Sequence, residues 1–380
     1  MKRTILLTAA LLVAFSAFSQ TRIRDYGIYP GIFKTGENNA ITDVPGVRVG
    51  HVTLIEGEDM RTGVTAIVPH DGNIFKKKCP AAVYVGNGFG KLAGTTQVKE
   101  LGNIETPIIL TNTLSVAQGL EGLITYTLNQ KGNENVKSVN GIVGETNDGE
   151  LNNIRARYVK AEHVIKAIEN AKSGPVEEGC VGAGTGTVCF GFKAGIGTSS
   201  RVLPESLGGY TVGVLVQSNY GGVLEIEGVP VGQKLGRYSF KSSVEKERDL
   251  NPDGSCMMVI ITDAPVDARN LERIAKRAMM GLAKTGGIAS NGSGDYVIAV
   301  SVNKDNLIDE NTTYYFPTLL HNEDLSALFT ATIEATAEAL WNSLFAAEDM
   351  TGIGGHTAKA LPKEKVVEML KESKNGITIK

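Results

Sequence analysis

The sequence is poor in the features that define several protein classes. Four cysteines in 380 residues are too few for a disulfide-stapled scaffold. Twelve prolines beside 45 glycines fall well short of the roughly 25–30% that marks low-complexity disorder. Neither charge sign dominates: 38 Lys and Arg face 41 Asp and Glu, and no basic block interrupts the chain. Nucleic acid is therefore not an expected partner. Beyond the first twenty residues no apolar run reaches the ~18 residues of a membrane helix. No period of roughly 20–50 residues signals a solenoid.

The common motifs of cofactor and metal chemistry are missing too. Gly182-Ala183-Gly184-Thr185-Gly186 resembles a dinucleotide fingerprint, but it lacks the third glycine and leads into Val188-Cys189-Phe190, which reads as a strand. Gly90-Lys91-Leu92 lacks the hydroxyl residue and upstream glycine of a P-loop. There is no G-x-S-x-G elbow. His51, His70, His163, His321 and His356 show no metal-ligand spacing, and none adjoins a recognisable nucleophile.

What is present is a chain with 42% hydrophobic residues, ample for a core. At about 150 residues per domain, its length suits one large domain or two to three small ones. Glycine, at about 12% against about 7% on average, suggests many tight turns and close backbone approaches. Lys2 and Arg3, the apolar stretch Ile5 to Phe15, and Ala17 with Ser19 form the pattern of a secretory signal peptide over 1–19. Export to the periplasm or medium is the expectation, with no membrane anchor. There Cys180 and Cys189 could pair, although buried free thiols are the plainer reading.

Strands are expected at Val47 to Ile55, Val64 to Val68, Ala82 to Val85, Pro107 to Leu110 and Tyr210 to Gln217. Helices are expected from Leu114 to about Leu128 and from about Asn152 to Ala171. The stretch 234–254 is densely charged and ends in the turn formers Asn251-Pro252-Asp253-Gly254. Ser255 follows, then the apolar strand pattern Cys256 to Thr262. A helix capped by Asp267 and running to about Lys284, a strand from Asp295 to Val302, a long helix from Asn322 to Ala347 and a terminal helix from Lys363 to Ser373 complete the chain. Strands with adjacent helices imply helix layers over sheet.

Chemistry concentrates at Gly254-Ser255. A polar loop delivers this peptide bond to the start of a buried strand, and glycine there tolerates distorted backbone. Attack of Ser255 Oγ on the Gly254 carbonyl would convert the peptide to an ester, and water would release a new amino terminus. The α-amine of Ser255, with a reference pKa of about 7.7–8.0, would then serve as base for its own hydroxyl. Nucleophile and base would reside in one residue, without histidine.

The surrounding motifs resemble the DmpA/β-aminopeptidyl family of N-terminal-nucleophile serine aminopeptidases, peptidase family S58. The similarity runs through Ile41-Thr42-Asp43-Val44-Pro45-Gly46-Val47-Arg48-Val49-Gly50-His51, Asn87-Gly88-Phe89-Gly90 and Pro107-Ile108-Ile109-Leu110-Thr111-Asn112-Thr113. It continues in Gly184-Thr185-Gly186, Gly195-Ile196-Gly197-Thr198-Ser199-Ser200-Arg201, Val216-Gln217-Ser218-Asn219-Tyr220-Gly221, Gly254-Ser255 and Thr262-Asp263-Ala264-Pro265. The resemblance implies a four-layer α/β/β/α sandwich, like that of the ornithine acetyltransferase relatives. It implies self-cleavage between Gly254 and Ser255, giving an α-part of 20–254 and a β-part of 255–380 within one folded unit. Ser255 would be nucleophile and base, and Asn219 the oxyanion donor. Ser293 and Asp295 would hold the amine and relay protons, with Asp295 one methylene shorter than the glutamate of some relatives. Glu145 would bind the free amine of the substrate, with Asp148 able to serve instead. Asn147 falls where some relatives have tyrosine. Cys256, one residue along the strand, should face away from Ser255 and serve packing.

The implied activity is an aminopeptidase acting on short peptides, amides or esters, without metal or organic cofactor and as a homo-oligomer of αβ units. Two other readings remain open at this level: acyl transfer to an amine instead of water, and an uncleaved, non-enzymatic binding protein.

Overall fold

A computed structural model describes residues 21–244 and 254–375. The expected signal peptide and residues 245–253 of the charged stretch lie outside the described residues. The nine longer strands are β1 Arg48–Glu56, β2 Met60–Val68, β3 Lys77–Gly88, β4 Ile108–Asn112, β5 Ile142–Thr146, β6 Ile196–Val202, β7 Thr211–Asn219, β8 Gly254–Thr262 and β9 Ser293–Ser301. The longer helices that cover the sheets are α1 Val116–Leu128, α2 Ala161–Glu169, α3 Ala268–Lys284 and α4 Ser326–Phe345.

Two sheets result. One has the order β1-β2-β4-β5, closed by the short strand Leu92–Ala93. The other has the order β6-β7-β8-β9-β3, closed by Ile308–Asp309. Only β4–β5 and β8–β9 pair in parallel among these neighbours, and helices α1 and α3 make the two crossovers. Leu215, Met257, Val259 and Ile298 of the second sheet meet Ile67 and Leu110 of the first in an apolar intersheet core. Met258 and Ile260, on the opposite face of β8, pack under Leu271 and Ile274 of α3 and Trp341 of α4. Ile109 and Ala66 pack under Leu123 of α1 and Ile168 of α2. The layers run helix, sheet, sheet, helix, as the family resemblance implies. Strand β8 is buried on both faces, which is why its sequence reads as a continuous apolar run.

Strands from either side of residue 254 interleave in one sheet, with β8 and β9 between β7 and β3. A buried ionic cluster adds to this union. Arg201 of β6 bonds Glu334 at 3.0 Å and Glu338 at 2.8 Å, both on α4. Glu338 also accepts from Arg24 and from Asn39 Nδ2.

The helix expected over 152–171 begins only at Ala161. Arg157 takes a left-handed φ of 50°, which breaks the run. Tertiary bonds override the local pattern upstream: Asn153 Nδ2 and Tyr158 Oη both donate to Asp59, and Asn152 Oδ1 accepts from the Arg61 amide. The long helix expected over 322–347 starts as a 3-10 turn, Asn322–Leu325.

Candidate active site

Pairing register assembles the site. Ser255, second in β8, lies opposite Asn219, last in antiparallel β7, and beside Gly294 of parallel β9. Ser255 shares its face with Met257, so its side chain is directed to the first sheet. There a cavity of about 320 Å³ opens, lined among others by Phe89, Lys91, Glu145, Asn219, Gly254 and Ser255.

Ser255 is 5% exposed, and its hydroxyl donates to the Gly254 carbonyl oxygen at 2.6 Å. The nucleophile and the bond it would attack are thus in contact. Residue 254 must be glycine for a local reason: a Cβ there would stand 2.8 Å from Tyr220 Cα. Asn219 Oδ1 accepts from the Val188 amide at 3.0 Å, which fixes the side-chain orientation and leaves Nδ2 without a protein partner among the described residues.

Glu145, near the end of β5, comes from the opposite sheet and is 2% exposed. Its Oε1 accepts from the Lys91 amide at 2.9 Å, and its Oε2 accepts from the Thr113 hydroxyl. Each oxygen keeps acceptor capacity for a cation. Asp148 is not an equivalent choice. It is buried away from the cavity lining, its Oδ1 accepts from Asn152 Nδ2 at 3.0 Å, and burial raises its pKa to about 6. Asn147 does line the cavity, with Oδ1 accepting from the Gly149 amide.

Ser293 and Asp295 stand at the start of β9, two residues apart and therefore on one face. That face is not the one of the Ser255 hydroxyl. Asp295 is in register with Cys256, which packs in the helix-side core as expected. Both residues thus flank the backbone of 254–256, where the amine of Ser255 would emerge, and neither lines the cavity. Burial raises the Asp295 pKa from 3.8 to about 6. The Ser293 hydroxyl and the Cys256 amide lie close enough to temper that rise. Neither completes a well-formed hydrogen bond, since Ser293 Oγ and both Asp295 oxygens are unpartnered among the described residues.

Several positioning groups carried no assigned role at the sequence level. Gln217 Nε2 donates to Thr111 O, Ala183 O and Thr146 Oγ1, stitching the two sheets beneath the site. Asn87 Nδ2 donates to the Ser290 and Ser293 carbonyls and so fixes the approach to β9. Both residues lie inside the motifs quoted above, which was the available signal; their contacts depend on register. None of the five histidines lines the cavity, and no cluster of three metal-ligating side chains occurs among the described residues.

Comparison with known proteins bears on the family and the fold. The sequence model of peptidase family S58 matches residues 39–358. The β-peptidyl aminopeptidase BapA of Sphingosinicella microcystinivorans is 39% identical over 386 residues, covering 96% of each chain. A solved β-aminopeptidase from Burkholderia sp. superposes with a TM-score of 0.85 at 40% identity, covering 93% of this chain and 99% of that one. The L-aminopeptidase D-Ala-esterase/amidase of Ochrobactrum anthropi, described as a variant of the Ntn hydrolase fold, gives 0.84 at 33% identity with the same coverage. The chain belongs to peptidase family S58 and is a serine aminopeptidase of the Ntn hydrolase fold.

Proposed function

We propose that the chain cleaves itself between Gly254 and Ser255 and then removes amino-terminal residues from short peptides, amides or esters through an acyl-enzyme on Ser255. The observation that carries this reading is the 2.6 Å contact between Ser255 Oγ and the scissile carbonyl oxygen, within a cavity that also holds Asn219 and Glu145. In maturation, Oγ bonds to the Gly254 carbonyl carbon and the C–N bond breaks, with the proton passing to the departing nitrogen. Water then hydrolyses the ester, leaving a carboxylate on Gly254 and a free amine on Ser255.

In turnover that amine takes the hydroxyl proton as Oγ attacks the substrate carbonyl, then returns a proton to the leaving nitrogen. Asn219 Nδ2 donates to the oxyanion, a bond that strengthens as charge develops. Glu145 receives the substrate ammonium, as a charge-assisted bond in a buried setting. Asp295, once ionised, favours the ammonium form of Ser255 and with Ser293 orients it. Water attacking the acyl-enzyme closes the cycle.

Among relatives, the 39% and 40% identical proteins are named for β-peptidyl and β-amino substrates, so β-amino acyl peptides are the first substrates to test. The amino-terminal pattern supports export to the periplasm or medium. The mature form would be a homo-oligomer of αβ units. The test is hydrolysis of p-nitroanilides bearing L-α-, D- and β-amino acyl groups. At least one class should be released by the native protein and none by Ser255→Ala. Normal turnover by that variant would overturn the assignment of the nucleophile.

A further inference from the structure

The cleft does not end at Ser255. A second lobe of about 280 Å³ adjoins the first; Glu150 and Val188 line both, and Tyr220 follows Asn219 from one lobe into the other. Arg237 stands in this second lobe. We propose that the second lobe is a leaving-group subsite and that Arg237 recognises the terminal carboxylate of a short peptide substrate. The inference rests on the reading of Ser255 as nucleophile and Glu145 as amine binder.

Direction follows from those two anchors. With the ammonium on Glu145 and the carbonyl at Ser255, the substrate chain continues away from Glu145. Neither Glu145 nor its donors Lys91 and Thr113 line the second lobe. The leaving group therefore enters the space beyond Val188.

Arg237 is built to receive an anion there. Its backbone amide donates to Gly232 O at 2.8 Å. Its side chain crosses Gly191, where a Cβ would come within 3.2 Å of Arg237 Cδ. The guanidinium carbon lies 4.7 Å from the centre of the buried Phe192 ring, a cation–π contact that holds the plane in place. Nη1 donates to Gly191 O at 2.7 Å. Nε and Nη2 make no hydrogen bond, and no carboxylate pairs with the group, among the described residues. An oriented guanidinium edge whose Nε and Nη2 have no partner among the described residues suits bidentate carboxylate binding. Glu150, on the shared wall, opposes a carboxylate placed next to it. A leaving group long enough to carry its carboxylate past Glu150 to Arg237 is favoured, as in a tripeptide over a dipeptide.

The experiment compares kcat/KM for a tripeptide and its C-terminal amide, both with the amino-terminal residue the enzyme prefers. The native protein should favour the free acid by roughly two- to fivefold, the scale of an ion pair made by an exposed arginine. Arg237→Gln should bring that ratio close to one, Arg237→Lys should restore part of it, and Arg237→Glu should reverse it. Equal rates on acid and amide by the native protein would overturn the subsite while leaving the aminopeptidase reading intact, and need no variant. A ratio unchanged in Arg237→Gln would remove Arg237 from the role. Absence of turnover on both peptides and on the anilides would instead strike the underlying reading.

Discussion

Asp295 is a buried carboxyl whose penalty can be measured. Replacing it with asparagine in the uncleaved Ser255→Ala background should stabilise the fold, by an amount that grows with pH. Burial lifts its pKa from 3.8 to about 6 in the folded protein. A folded state with the higher pKa binds the proton more tightly. The penalty is therefore absent at low pH, develops between the unfolded and folded values, and is complete above about 6. At about 1.36 kcal/mol for each pH unit between those two values, the penalty reaches about 3 kcal/mol at pH 8 and about half a kcal/mol at pH 4. Asp148 and Glu178, also raised by burial, titrate equally in both proteins and cancel. The amide adds its own local effect, but that does not change with pH. The uncleaved background is essential, because a Ser255 ammonium would draw the Asp295 pKa down again. Urea unfolding between pH 4 and 8 supplies the difference. A stability difference that stays flat across that range would refute the reasoning.

Three further outcomes follow from named contacts. Gly254→Ala brings a Cβ to 2.8 Å from Tyr220 Cα, so processing into two fragments should slow markedly in a gel time course. Thr113→Val removes a hydroxyl donor to Glu145, worth about 1.5–3 kcal/mol for a charged acceptor, and should lower kcat/KM by roughly tenfold or more, mainly through KM, while Thr113→Ser restores it. Glu338→Gln leaves Arg201 and Arg24 without their shared carboxylate and should cost about 3–5 kcal/mol in unfolding experiments, because it joins α4 to elements that precede residue 254.

The legible parts of the fold were those whose burial leaves an apolar record. Strand β8 and the amphipathic α3 with its Asp267 cap are read directly from sequence, and Asp267 indeed accepts from the Asn270 amide. Strand β6 leaves no such record. Its Thr198, Ser199, Ser200 and Arg201 are buried polar residues, made tolerable by Glu178, Asn39 and Glu334 from distant segments. Strand β5 is a five-residue strand with a glycine at its centre, too short for a clear period. At the site, the Gly254-Ser255 step was visible as chemistry, and Asn219 and Glu145 through motif resemblance. That Ser293 and Asp295 flank the backbone on the face away from the hydroxyl emerges only from strand register, as does the support from Thr113 and Gln217.

The central claim is that the working nucleophile is a serine at a newly made chain end. Intact-mass measurement of purified, active protein tests it most directly. The account predicts two polypeptides, one ending at Gly254 and one beginning at Ser255. A single uncut chain that retains full activity would contradict it.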